Sequence, residues 1–199
     1  MRLAFPAVRC QSAFMRSLFF FLSMLCVAVA KESPQTILES LPATLAGCSR
    51  SEYHAYEGAG LGGSVGYNAP GLVVTVYAYD LDKGDIADGI DDPVVRKAFE
   101  DANGALLLAK DAGYYSKVER QKDGLKKAAP GALVSRFHLT HAKGGKAGVE
   151  VFSETHVFGA RGHVIKFRIS GDLADEAKHR KILAKLIPAL HEAIAKPAK

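Results

Sequence analysis

The chain has 199 residues, 48% of them hydrophobic, with 26 Lys+Arg against 21 Asp+Glu, three cysteines and no tryptophan. These values exclude a low-complexity or disordered chain and a disulfide-stapled miniprotein, and they suit one ordinary core. Removal of the first thirty residues, which carry Arg2, Arg9 and Arg16, leaves 23 basic against 21 acidic residues, a near balance that gives nucleic-acid binding little electrostatic support.

Ser17 to Val29, SLFFFLSMLCVAV, is the longest apolar run; three arginines precede it and Ala28-Val29-Ala30 ends it. This is the pattern of a secretory signal peptide. Cleavage is predicted between Ala30 and Lys31, leaving residues 31–199 exported, periplasmic or secreted. At about thirteen residues the run is short of the ~20 that a membrane-crossing helix needs, so no transmembrane span is expected in the mature chain.

Residues 31–48 read as an N-terminal arm in which Ile37, Leu38 and Leu41 lie on one side of a short helix, and 49–199 read as one domain. Cys48 is the single cysteine left after cleavage, and one thiol cannot staple its own domain. A buried small hydrophobe is its expected role, with an interchain disulfide as the alternative. Leu45-Ala46-Gly47-Cys48 also resembles a lipoprotein lipobox, but Lys31, Glu32, Pro34, Glu39 and Pro42 separate it from the apolar run that a lipobox must close.

Three period-two runs follow, Arg50 to Glu57, Leu61 to Asn68 and Leu72 to Tyr79, divided by glycines and by Asn68-Ala69-Pro70-Gly71. They predict a β-meander. Asp92-Pro93 then reads as an N-cap and first-turn proline for a helix burying Val94, Val95, Ala98, Phe99, Ala102, Leu106 and Ala109, ended by Gly113. Asn103-Gly104 weakens its middle, so the pattern fits one bent helix or two shorter ones.

After a polar stretch, Gln121 to Pro130, strands are predicted at Leu133 to His141, Gly148 to Phe158 and His163 to Ser170. The last two form a hairpin. A three-residue loop, Ala160-Arg161-Gly162, pairs Phe158 with Val164, His156 with Lys166 and Glu154 with Arg168, and puts most charges on one face. A two-residue loop would mix Glu154 with the apolar set, which argues against it. Asp172 caps a final helix to Ala195 whose stripe is Ile182, Leu183, Leu186, Ile187, Leu190 and Ile194, with Pro188 inside it.

The fold expected is α+β: an antiparallel sheet of about six strands, helices on its faces, and a long C-terminal helix. The element order, with the segments LGGSVGYNAPGLVVTVYAYD and HVFGARGHVIKFRISGD, resembles the PsbP/Mog1-like α/β/α sandwich over roughly residues 49–195. That resemblance implies a non-catalytic accessory or partner-binding domain.

Several motifs suggest chemistry. Gly62-Gly63-Ser64-Val65-Gly66 matches the nucleophile elbow, whose serine must stand between a strand and a helix beside oxyanion donors; here a Pro-Gly turn follows. Gly58-Ala59-Gly60-Leu61-Gly62-Gly63 matches a dinucleotide fingerprint but precedes a strand, where the fingerprint needs a helix. Asp80, Asp82, Asp85, Asp88, Asp91 and Asp92 could offer calcium its oxygens. Their register fails the EF-hand, with Asp85 where glycine is required and Asp91 where glutamate should chelate, which favours a solvated, helix-capping loop. His138 and His141, three apart, point to opposite faces of a strand. His156 reads as a surface partner of Glu154. Seven tyrosines, among them Tyr53, Tyr56, Tyr67, Tyr77 and Tyr79, exceed what one core absorbs, and exposed tyrosine suits recognition.

The sequence therefore predicts a non-enzymatic exported binding or accessory domain, with no cofactor, acting through a sheet face or a cleft between sheet and helix on a protein or small molecule of the cell envelope. The alternatives are a serine hydrolase using Ser64 and a calcium-stabilised module using the acidic loop.

Overall fold

The structure, a computed structural model, describes residues 31–121, 126–128 and 131–196. The apolar leader and the Ala30 side of the expected cleavage site lie outside the described residues. Lys31 lies inside them, at the start of the unit that continues to the C-terminus.

Helix α1, Pro34–Glu39, begins where Ser33 Oγ accepts from Thr36 N, and it buries Ile37 and Leu38 completely, with Leu41 following. The arm is thus part of the core. Strands β1 (Thr44–Leu45) and β2 (Cys48–Arg50) form a hairpin whose turn residues, Ala46 and Gly47, both have positive φ, 50° and 83°. The lipobox-like tetrapeptide is this turn with its two flanking residues, Leu45 paired with Cys48; positive φ at both positions suits a tight hairpin.

The expected run Arg50 to Glu57 is broken, and only β3 (His54–Ala55) continues it. Strands β4 (Gly63–Asn68) and β5 (Leu72–Tyr79) pair as the meander predicted, around a turn ending in Gly71. Helix α2, Pro93–Asp111, is continuous through Asn103-Gly104. Asn103 is buried, and its Oδ1 accepts from Ser135 Oγ at 2.6 Å, tying helix to sheet. Then come β6 (Tyr115–Arg120), β7 (Lys126–Ala128), β8 (Ala132–His141), β9 (Glu150–Ala160) and β10 (His163–Asp172). After one 3₁₀ turn, α3 runs from Glu176 to Ala195 with Pro188 inside.

All strand pairings are antiparallel, in the order β1-β2-β4-β5-β10-β9-β8-β6, with β3 on β4 and β7 on β8. The expected count of about six strands is too low: the sheet has ten segments. The surplus consists of short edge pieces and of β6, Tyr-Ser-Lys-Val-Glu-Arg, whose charges hid its alternation. Strand β10 bonds to both β5 and β9 and so joins the two halves of the chain.

Both faces are covered. Helices α1 and α3 pack on one, with Val74, Phe152, Phe158, Ile165, Phe167 and Ile169; α2 packs on the other, with Val157, Val164 and, at its far end, Phe137, Leu139 and Val151.

The last hairpin corrects the sequence reading. Ala160 pairs with His163, Phe158 with Ile165, His156 with Phe167 and Glu154 with Ile169. The loop is therefore the two-residue turn Arg161-Gly162, with φ of 55° and 78°, as a type I′ turn requires. Period-two burial selects a register only where one face is wet. Along β9 both are buried, and Glu154 and His156 lie in the α3 layer, 1% and 3% exposed.

Candidate functional site: a cleft beneath α2

On the α2 side of the sheet, alternate residues of three neighbouring strands present polar groups: Tyr77 and Tyr79 from β5, Lys166 and Arg168 from β10, Ser153 and Thr155 from β9. Above them α2 offers small side chains at Ala102, Ala105 and Ala109, with Leu106 among them. Small residues facing long ones leave space between the layers. That space is two adjoining cavities, of about 490 Å³ and 320 Å³, which share Ala102, Ala105 and Lys166 in their linings. Each falls in the range of small-molecule sites.

The larger cavity is walled by Tyr56, Leu61, Tyr77, Tyr79 and Leu81, with Glu57 and Asp101 at its rim. The smaller is walled by Tyr115, His141, Lys143, Ser153, Thr155 and Arg168, and no carboxylate lines it. Lys166 stands where they meet. It lies directly across from Tyr77 in the β10–β5 register, with its ammonium 4.3 Å from the Tyr77 ring centre and 5.5 Å from that of Tyr79. No carboxylate among the described residues forms an ion pair with Lys166, and none does with Arg168 two residues on.

Burial, and then the neighbouring Arg168, push the Lys166 ammonium below the usual lysine range. The tyrosines respond in the opposite sense. Burial raises Tyr77, as does Tyr56 beside it, and burial together with Asp101 and Tyr77 carries Tyr79 up to about 12. Tyr77 and Tyr79 are thus held neutral beside two cations that form no ion pair among the described residues. Arg168 is exposed, but Lys166 is partly buried, and a buried cation is costly unless something anionic offsets it. The signal was present in the sequence as period-two Lys166 and Arg168 opposite period-two Tyr77 and Tyr79, but it is readable only once β10 is known to lie beside β5.

The opposite face holds a second polar group. Glu154 Oε1 is 2.5 Å from His156 Nε2, while Glu154 Oε2 accepts from Arg136 Nε at 2.8 Å and from Arg180 Nη1. Arg180 continues to Glu176, whose other oxygen is 3.5 Å from His138 Nε2. Burial alone would raise the Glu154 carboxyl, but His156 and Arg180 bring it down to about 2. His156 is therefore Glu154's partner as expected, but in the interior and not on the surface.

Ser64 lies inside β4, opposite His54 and Tyr77, and its Oγ is 3.0 Å from the Tyr56 hydroxyl. A strand, not a helix, continues after it, so the serine is neither at an elbow nor bonded to an imidazole. The Gly58 to Gly63 fingerprint likewise leads into β4. In the acidic loop Asp80 pairs with Lys31 at 2.7 Å and accepts from Asp82 N, Asp88 accepts from Arg161 N, and Asp92 caps α2. Asp82 and Asp85 are exposed. No three acidic, histidine or cysteine side chains among the described residues are grouped to hold a metal.

His138 faces α3 while His141 lies against Tyr115 on the other side, as their spacing predicted. Cys48 is 1% exposed with a free thiol, which burial pushes above its ordinary pKa. No helix among the described residues is long and apolar enough to cross a membrane. No family model, curated protein or solved structure matches this chain.

Proposed function

We propose that the chain is a non-enzymatic binding domain, exported through its N-terminal leader, whose ligand seats in the cleft between α2 and the sheet. The observation that carries this reading is Lys166, an ammonium lodged between two joined cavities with aromatic faces beneath it and no acid partner among the described residues. A pocket lined by apolar and aromatic groups with a few convergent polar ones is where a small molecule is bound and oriented. Binding needs nothing more: Tyr77 and Tyr79 are held protonated, and Ser64 lies outside the lining.

The hydrolase alternative loses its support with Ser64 in mid-strand, and the calcium module loses its own with the acidic loop engaged in capping and ion pairing. The test is a fragment screen read by backbone amide shifts. Hits that perturb Tyr77, Thr155 and Lys166 together support the cleft as the seat; hits confined to other surfaces sink it.

A further inference from the structure

We infer that the cleft binds its ligand in one orientation: an organic anion whose charged head enters the cavity beside Arg168 and whose flat apolar body lies in the tyrosine-walled cavity. This rests on the cleft being the seat proposed above and names the chemistry of its occupant.

The two cavities differ in kind. The smaller carries Lys143, Arg168 and the shared Lys166, with the hydroxyl-bearing Ser153 and Thr155 in the same wall and no carboxylate. Lys143 is anchored, donating to Ala112 O at 2.8 Å, so Lys166 and Arg168 are the cations left to meet a ligand. They project two residues apart from the same strand face, as two prongs toward one anionic group. The larger cavity has tyrosine and leucine walls, and its acids, Glu57 and the Lys97-paired Asp101, disfavour a second negative charge. An anion reversed in the cleft would meet those carboxylates and leave Arg168 unpaired.

The larger cavity also has the shape of an aromatic slot. Tyr56 and Tyr77 are stacked, centroids 6.1 Å apart and planes 18° from parallel, with Tyr79 beyond. Flat rings and short apolar chains fit against such a wall. A second negative charge would lack a partner there other than Lys166, and a cation would meet Lys166 directly.

The experiment uses probes that share one body. The 199 residues contain no tryptophan, so naphthalene fluorescence can be followed without an indole background. Binding is measured for 2-naphthalenesulfonate, 2-naphthol, the 2-naphthyltrimethylammonium ion and methanesulfonate, on the wild type and on Lys166→Met and Ala105→Phe. Ala105 is solvent-exposed on α2 and lines both cavities, so the phenylalanine blocks the junction without disturbing the core; melting curves check both folds.

The expected order is sulfonate tightest, naphthol weaker, and the ammonium and methanesulfonate weakest. Lys166→Met should weaken the sulfonate about 10–100-fold, the range for losing a charge-assisted contact, and leave naphthol nearly unchanged. Ala105→Phe should weaken all naphthalene probes. If Ala105→Phe weakens every naphthalene probe while sulfonate and naphthol bind alike, the seat stands and the anion assignment falls. If Ala105→Phe changes nothing, or no naphthalene probe binds, both fall.

Discussion

Glu154 Oε1 and His156 Nε2 meet at 2.5 Å on a strand face otherwise made of phenylalanine and aliphatic side chains. Two residues apart on β9, they share the α3 side of the sheet, and Arg136 and Arg180 close over the second carboxylate oxygen from β8 and α3. The carboxylate is the hub of three cationic or potentially cationic groups, and deleting it leaves them facing each other in a dry layer. Breaking a buried pair from one side typically costs ~3–5 kcal/mol. Arg136 and Arg180 keep 38% and 31% of their side chains exposed and can turn toward water, so Glu154→Gln should sit at the low end, ~3 kcal/mol. Urea unfolding measures it; a shift below ~0.5 kcal/mol would mean that the carboxylate holds nothing.

The same layer predicts acid sensitivity. His191 lies flat on Phe158, ring centres 4.3 Å apart, with its Nε2 buried and unpartnered, and burial together with nearby His156 lowers it from 6.5 to about 4. Between those values the unfolded chain binds a proton that the folded one refuses, so stability rises with pH across that window and is lost as pH falls from 6.5 toward 4. Glu154, lowered from 4.5 to about 2, acts in the same direction further down: its stabilisation is present above 4.5 and disappears as pH drops through 2. His191→Phe should flatten the stability profile between pH 6.5 and 4 and leave the steeper fall below it. An unchanged slope in the upper window would show that His191 does not govern it.

How much of this was legible depends on which residues carried local signals. Asp92-Pro93 announced α2, and Ala69-Pro70-Gly71 announced the β4–β5 turn, because caps and turns are set by near neighbours in the sequence. The register of the β9–β10 hairpin was not legible, because a sheet covered on both sides makes an alternating burial pattern consistent with either loop length. Glu154, offered as the reason to reject the two-residue turn, is the residue that this turn buries. The residues of the cleft were not legible either; the sequence offered only a sheet face or a cleft between sheet and helix as the place to look. Its cations and tyrosines lie some ninety residues apart in sequence, and no local pattern brings Lys166 opposite Tyr77.

Cys48 offers a test of how tightly the N-terminal hairpin is held. Its thiol is 1% exposed and raised above its ordinary pKa by burial, and both effects suppress the thiolate that alkylating agents attack. Iodoacetamide should label the folded protein only at the rate at which the β1–β2 edge opens, and label it quickly in urea. Rapid stoichiometric labelling in native buffer would show that the edge does not stay closed and that Cys48 is available for pairing or modification.

Gly159, near the end of β9, predicts a severe small substitution. The acidic loop crosses there: Gly89 N donates to Gly159 O at 2.9 Å, and Gly159 N donates back to Gly89 O at 2.6 Å. A Cβ on Gly159 would stand 2.0 Å from the carbonyl oxygen of Ala87 and 3.3 Å from Val95 Cγ2. The obstruction is backbone and cannot swing aside. Gly159→Ala must therefore lift residues 86–92 off the strand, losing the two-way bridge and disturbing the Asp92 cap that starts α2. Overpacking of this kind costs ~3 kcal/mol, which for a chain of this size lowers the melting temperature by roughly 6–12 °C. Gly104→Ala is the internal control, since nothing lies within 4 Å of its added methyl and helix propensity favours the change by ~1 kcal/mol; if both glycines respond alike, the close crossing at Gly159 is not what fixes the loop.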